Sequence, residues 1–203
     1  AIAWYENTTS AVYEPEFVAN TVTSSVDGPN SIFSIDLDGD GDIDVLSASS
    51  GDDKVAWYMN NGSESFTKYT ISSSLSNPLS VFSVDLDRDG DMDVVANGSS
   101  EFVWYENNGS ESFSAHTISA DHNYVADIDV IDLDQDGDLD VIIGQGGNGT
   151  YDYVVTWAEN NGSQSFTIHT IASDLNGANA VSGSDLDQDG DIDIAVAWSQ
   201  GIL

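Results

Sequence analysis

Short runs of alternating polar and apolar residues dominate the chain. "SVFSVD" (80–85) alternates strictly, and "DMDVVANG" (91–98) follows with a β-branched centre. "EFVWYENN" (101–108) then leads to an Asn-Gly pair, and "SFSAHTI" (112–118) returns with period-two polarity. Alternation over four to eight residues is the mark of a strand with one buried face. Asn-Gly between two such runs marks a hairpin, because both residues accept positive φ. No segment carries a helical period, so the pattern predicts four antiparallel strands in a meander and nothing else.

The same pattern returns. "VAWYMNNGSESFTKYTI" (55–71), "FVWYENNGSESFSAHTI" (102–118) and "VTWAENNGSQSFTIHTI" (155–171) share one template. The nonapeptides "DLDGDGDID" (36–44), "DLDRDGDMD" (85–93), "DLDQDGDLD" (132–140) and "DLDQDGDID" (185–193) keep step with it. Their first aspartates, 36, 85, 132 and 185, are 49, 47 and 53 residues apart. Two motifs locked to one period indicate a tandem repeat, and four antiparallel strands per unit fit a propeller blade. The expected fold is all-β and β-propeller-like: one repeat domain over 1–203, with blades at 29–71, 78–118 and 124–171.

The two ends complement one another. "AIAWYENTTS" (1–10) matches the third strand of a blade and "EFVANTV" (16–22) the fourth, while "DIDIAVAWSQGIL" (191–203) supplies a second strand. Strands within 1–22 are therefore expected to complete the blade begun by 178–203. The completion can occur in cis, closing a ring, or from a neighbouring molecule, propagating an array; a third option is a piece of a longer propeller. The absence of an initiator Met and of a signal peptide reads as a processed or excerpted product.

Charge sharpens the picture. Thirty-six acidic residues face only Lys54, Lys68 and Arg88, a formal net charge of −33. Such a surface repels nucleic acid and anionic membranes, and no apolar run is long enough to span a bilayer. Apolar content of 40% still permits a packed core. With no cysteine, disulfides and thiolate metal sites are excluded.

Twenty of the 36 acids sit in the four nonapeptides at fixed offsets. Two carboxylates about 4 Å apart repel by roughly 1 kcal/mol even in water, so each loop opposes folding unless a cation neutralises it. Ca²⁺ takes 6–8 oxygens, and alternate residues of a curled loop aim inward. Positions one, three and five are the expected carboxylate ligands: Asp36, Asp38, Asp40; Asp85, Asp87, Asp89; Asp132, Asp134, Asp136; Asp185, Asp187, Asp189. Position seven is expected to give its main-chain carbonyl (Asp42, Asp91, Asp138, Asp191). Position nine is expected to close the shell in bidentate fashion (Asp44, Asp93, Asp140, Asp193). Gly41, Gly90, Gly137 and Gly190 permit the turn between. Mg²⁺ demands stricter geometry, so about four Ca²⁺, one per repeat, are expected. The competing reading, an acid-rich solvated turn, does not account for the fixed offsets.

The acidic nonapeptide followed by "W-Y-E-N-N-G-S-x-S-F" resembles the VCBS/FG-GAP repeats of calcium-binding β-propellers, related to the integrin α-subunit head. The resemblance implies work outside the cell: adhesion, recognition of glycans or proteins, or a scaffold attached to secreted enzymes. The tripeptides that name the family are absent, and such propellers commonly have more blades than four, so no ligand contact is carried over.

Other residues have two readings each. Trp4, Trp57, Trp104 and Trp157 recur once per repeat, which suits packing between blades better than a sugar platform. Trp198 falls outside that register and is the candidate for a special contact. Tyr5, Tyr58 and Tyr105 follow a Trp and are expected on the opposite, partly exposed face. Asn7, Asn61, Asn97, Asn108, Asn148 and Asn161 begin N-glycosylation sequons, although Asn-Gly is also simply turn chemistry. His116 and His169 share a strand position with Tyr69, so packing is expected of them; His122 completes the set. No nucleophile–His–acid constellation or phosphate loop is visible, and a non-catalytic module is expected. It is expected to be secreted or cell-surface, to act as a structural or adhesive unit, and to self-assemble or bind extracellular glycans or proteins.

Overall fold

A computed structural model describes residues 1–8, 16–120, 125–146, 154–163, 165–173, 175 and 178–198. Among them are sixteen strands and no helix: β1 (Ile2–Asn7), β2 (Phe17–Thr23), β3 (Pro29–Ile35), β4 (Asp44–Ser49), β5 (Lys54–Asn60), β6 (Phe66–Ser72), β7 (Ser80–Val84) and β8 (Asp93–Asn97). The second half continues with β9 (Phe102–Asn107), β10 (Phe113–Ser119), β11 (Val125–Ile131), β12 (Asp140–Gln145), β13 (Val154–Asn160), β14 (Phe166–Ser173), β15 (Ala178–Ser184) and β16 (Asp193–Trp198).

Three complete meanders, β3–β6, β7–β10 and β11–β14, form four-stranded antiparallel sheets. The pairs β1–β2 and β15–β16 form separate two-stranded sheets. The architecture is thus propeller-like but not closed, and the cis completion of the last blade is not made. Register is the same in every complete blade. Leu46 lies opposite Trp57, Val95 opposite Trp104 and Ile142 opposite Trp157. One acidic loop joins the first strand of each blade to the second.

The core lies between blades. One face of the first blade (Leu37, Leu46, Trp57) packs on one face of the second (Val81, Val94, Tyr105). The other face of the second blade (Leu86, Val95, Trp104) packs on the third (Val125, Val141, Ile143). The two middle strands of each blade are therefore covered on both sides. Trp faces the following blade and Tyr the preceding one, so Tyr58 and Tyr105 are fully buried. This corrects the expectation of partial exposure, which assumed one wet face per strand; only Tyr5, with no blade before it, is exposed. The half-blades extend the stack: Ile2 and Val26 pack on Ala56 and Tyr58, and Ala178 and Val181 on Ile142 and Val155.

Side chains also cross between blades to reach the main chain of the innermost strands. Ser31 Oγ accepts from Val81 N (3.4 Å). Two carboxylates of β11 do the same for β15: Asp127 accepts from Val181 N (3.0 Å) and Asp129 from Gly183 N (2.8 Å).

Candidate metal centres

Each acidic loop is curled by its own carboxylates. Asp38 Oδ1 accepts from the main-chain N–H of Asp40 (3.2 Å), and Asp40 Oδ1 accepts from that of Asp42 (2.8 Å). Asp36 Oδ2 takes the N–H of Gly41 at 2.9 Å. The second and fourth loops repeat all three bonds. Position six is in the left-handed region in every loop, with φ from 95° at Gly41 to 105° at Gly137, where a Cβ is strained. Position four is left-handed as well, and there Arg88, Gln135 and Gln188 occupy it with side chains.

Each of these bonds uses one oxygen of its carboxylate. Asp36, Asp38 and Asp40 bring carboxylate oxygens within 4.8 Å of one another, as do Asp132, Asp134 and Asp136. In the other two loops the trio is Asp85, Asp87 and Asp93, and Asp185, Asp187 and Asp193. At position one of all four loops the second oxygen, Oδ1, is buried and has no hydrogen-bond partner. A buried acceptor left unpaired costs about 1–3 kcal/mol or more when charged. Four such oxygens, each beside two further carboxylates, fit a hard divalent cation.

Position nine also does structural work that the spacing did not show. Asp44, Asp93 and Asp140 are fully buried. Asp93 Oδ1 accepts from Asn107 N (2.7 Å) and its Oδ2 from Leu86 N (3.0 Å). Asp44 and Asp140 make the equivalent pairs with Asn60 and Leu37, and with Asn160 and Leu133. One oxygen thus ties the loop to the third strand and the other to the loop's own second residue, while Asp93 and Asp193 also stand in the carboxylate trios of their loops. Burial pushes the carboxyls of Asp93 and Asp140 up to about 6, against the pull of those N–H donors. Burial likewise raises Asp44, Asp38 and Asp87 above the usual carboxylate range.

The position-seven carboxylates stand outside the clusters and explain why the two sequence motifs travel together. A Cβ placed on hairpin Gly62 would lie 2.4 Å from an oxygen of Asp42; Gly109 meets Asp91, and Gly162 meets Asp138, at the same distance. The first Asn of each "NNG" completes the joint, Asn60 Nδ2 donating to Ile43 O and Asn107 Nδ2 to Met92 O, both at 3.1 Å. Neighbouring loops are also linked. Arg88 donates to the carbonyl of Gly137, and Gln135 Nε2 to that of Gly190 (2.6 Å). These links escaped sequence reasoning; the shared period of loop and hairpin was their one visible trace.

The remaining candidates fall into place. His116 and His169 stack on Trp104 and Trp157 and pair with Glu106 and Glu159, the packing role expected of them. Asn7, Asn61, Asn108 and Asn161 are exposed. Asn97 is fully buried, its amide bonded to Ser80 and to the Val125 carbonyl, so the fold offers no surface there to a glycan, contrary to the expectation drawn from its sequon. Asn148 and His122 lie outside the described residues.

The family model described as FG-GAP-like repeat matches residues 36–96, 94–143 and 132–196. No curated protein matches the chain. Among solved structures, the chain is similar to an Agrocybe aegerita lectin described for specific recognition of non-reducing terminal N-acetylglucosamine. The two are 21% identical, with a TM-score of 0.48 over 80% of this chain and 46% of the lectin chain. The chain therefore spans less than half the length of that structure.

Proposed function

The chain belongs to the FG-GAP-like repeat family, and from that premise we propose that it is an extracellular, calcium-stabilised, non-catalytic propeller module with a structural or adhesive role. The observation that carries this reading is the set of buried, unpaired Oδ1 atoms of Asp36, Asp85, Asp132 and Asp185. Each faces carboxylates that repel it, and about four Ca²⁺ would turn those repulsions into ligation. Millimolar extracellular Ca²⁺ suits loops of this kind. Melting curves in calcium and in chelator test the proposal. A large upward shift with calcium, and a smaller one with Mg²⁺, is expected; identical curves would reject it.

A second reading is a glycan-binding module. It draws on Trp198, which is half exposed outside the repeated Trp register, since sugars stack on aromatic faces. Glycan-array binding that disappears in Trp198→Ala would support it.

A further inference from the structure

The junctions between successive acidic loops differ in charge. At position four of the first loop, Gly39 sends no side chain towards the second loop. Arg88 of the second loop sends a guanidinium to the third, and Gln135 of the third sends a neutral amide to the fourth. The chain has three basic residues. Lys54 pairs with Asp52 and Lys68 lies over the Tyr58 ring, which leaves Arg88 as the one directed at an acidic loop among the described residues.

The loop that receives Arg88 is built differently. In the first, second and fourth loops the position-six N–H donates to the position-one Oδ2, at 2.9 Å from Gly41 and 3.1 Å from Gly90 and Gly190. Among the described residues the third loop keeps its other two curling bonds and lacks this one. There Asp132 Oδ2 faces Arg88 Nη2 at 3.9 Å, and the Gly137 carbonyl accepts from the same guanidinium. Gln135 takes the matching carbonyl of Gly190 at 2.6 Å and leaves the fourth loop's bond in place. The contact with the position-six carbonyl is thus common to both junctions. The positive charge beside position one is peculiar to the third loop.

We infer that Arg88 is a resident counter-charge of the third loop, steadying it when empty and making it a weaker calcium site than its neighbours. The inference rests on the calcium reading above and ranks the sites within it. The other oxygen of Asp132, Oδ1, is the buried and unpartnered one, so the guanidinium and the ion would share a single carboxylate. An isolated pair this exposed, 48% at Arg88 and 26% at Asp132, adds little to stability. Repulsion of a divalent ion is larger, because it scales with the product of the charges. A unit charge about 6 Å from such an ion lowers the binding constant about tenfold at water's dielectric, and about threefold once physiological salt screens it. The third loop therefore fills last as calcium rises and empties first as it falls.

Calcium titration calorimetry on the whole chain tests this, with Asp134→Asn used to identify the third loop's step by its loss. In the unmodified chain that step should be weaker than those of the second and fourth loops. Arg88→Gln installs the side chain that positions 135 and 188 already carry with the same left-handed backbone, so the fold is retained. It should tighten the third step about 3- to 10-fold while lowering the melting temperature in chelator by about 2–4 °C. A merely structural contact would move both in the unfavourable direction. Arg88→Lys keeps the charge and should keep the step weak. Gln135→Arg carries the charge to the fourth loop and should weaken that step by a similar factor. A third step left unchanged or loosened by Arg88→Gln, in a chain that still binds calcium, would overturn the inference alone. So would a fourth step as tight in Gln135→Arg as before. A chain that takes up no calcium would overturn the calcium reading and this inference with it.

Discussion

Replacing Gly109 with Ala separates two effects that the hairpin glycine serves at once. Gly109 has φ 70°, and a Cβ there would stand 2.4 Å from Asp91 Oδ2 and 3.1 Å from its Cγ. Gly39 is the matched control, with φ 72° and no atom within 4 Å of the same added carbon. Left-handed backbone costs an Ala about 1–2 kcal/mol, of which about 0.4–1 is offset by the stiffer unfolded chain. Gly39→Ala should therefore lose about 1 kcal/mol or less. Gly109→Ala should lose about 0.5–1.5 kcal/mol more, the cost of turning the half-buried Asp91 carboxylate aside from its rotamer. Urea unfolding in saturating calcium reads both, and each kcal/mol should also move the melting temperature by about 2–4 °C. Adding Asp91→Ala removes the obstructing carboxylate and keeps the main-chain carbonyl. The Gly109→Ala penalty should then fall to that of Gly39→Ala. Equal losses in the two single variants, or no relief from Asp91→Ala, would refute a steric joint between loop and hairpin.

Three further outcomes are expected. In chelator, stability should rise as pH falls from about 6 towards the ordinary carboxylate value of 3.8, because the folded chain takes up protons at Asp93 and Asp140 that the unfolded chain does not yet hold; with calcium the trend should reverse, since protonation competes with the ion, and melting across pH in both buffers checks the sign. Asp85→Asn should remove one ion from the stoichiometry found by titration calorimetry, while Asp91→Asn, outside the cluster, should retain it. Trp104→Ala, which empties a buried site between blades, should lose about 3–5 kcal/mol in urea unfolding, whereas Trp198→Ala in dilute solution should stay within about 0.5 kcal/mol.

The sequence carried the strand pattern, the repeat period and the acidic loops because each is local: alternation, Asn-Gly turns and nonapeptide spacing all lie within a few residues. Pairings between loop and hairpin were not legible in detail. Asp93 reaches Asn107 across 14 residues, and nothing in "DMD" says that its last carboxylate faces main-chain N–H groups as well as an ion. Tyr58 and Asn97 were misjudged for a related reason. Their exposure depends on a neighbouring sheet, with Val125 reached 28 residues on from Asn97 and Val26 and Ile2 packed on Tyr58, and a strand enclosed on both faces looks locally like one enclosed on one. The left-handed position four shows the same limit. Arg and Gln at those sites gave no local hint of the unusual backbone, which serves contacts with the following unit.

Among the described residues, successive sheets share no main-chain ladder; they meet through apolar side chains packed between blades and through Ser31, Asp127 and Asp129, which cap inner-strand amides. Duplication or loss of a whole genetic unit thus leaves every surviving ladder in phase. Lineages can lengthen or shorten such proteins by recombination alone, with each new copy inheriting ready-made joints on both sides.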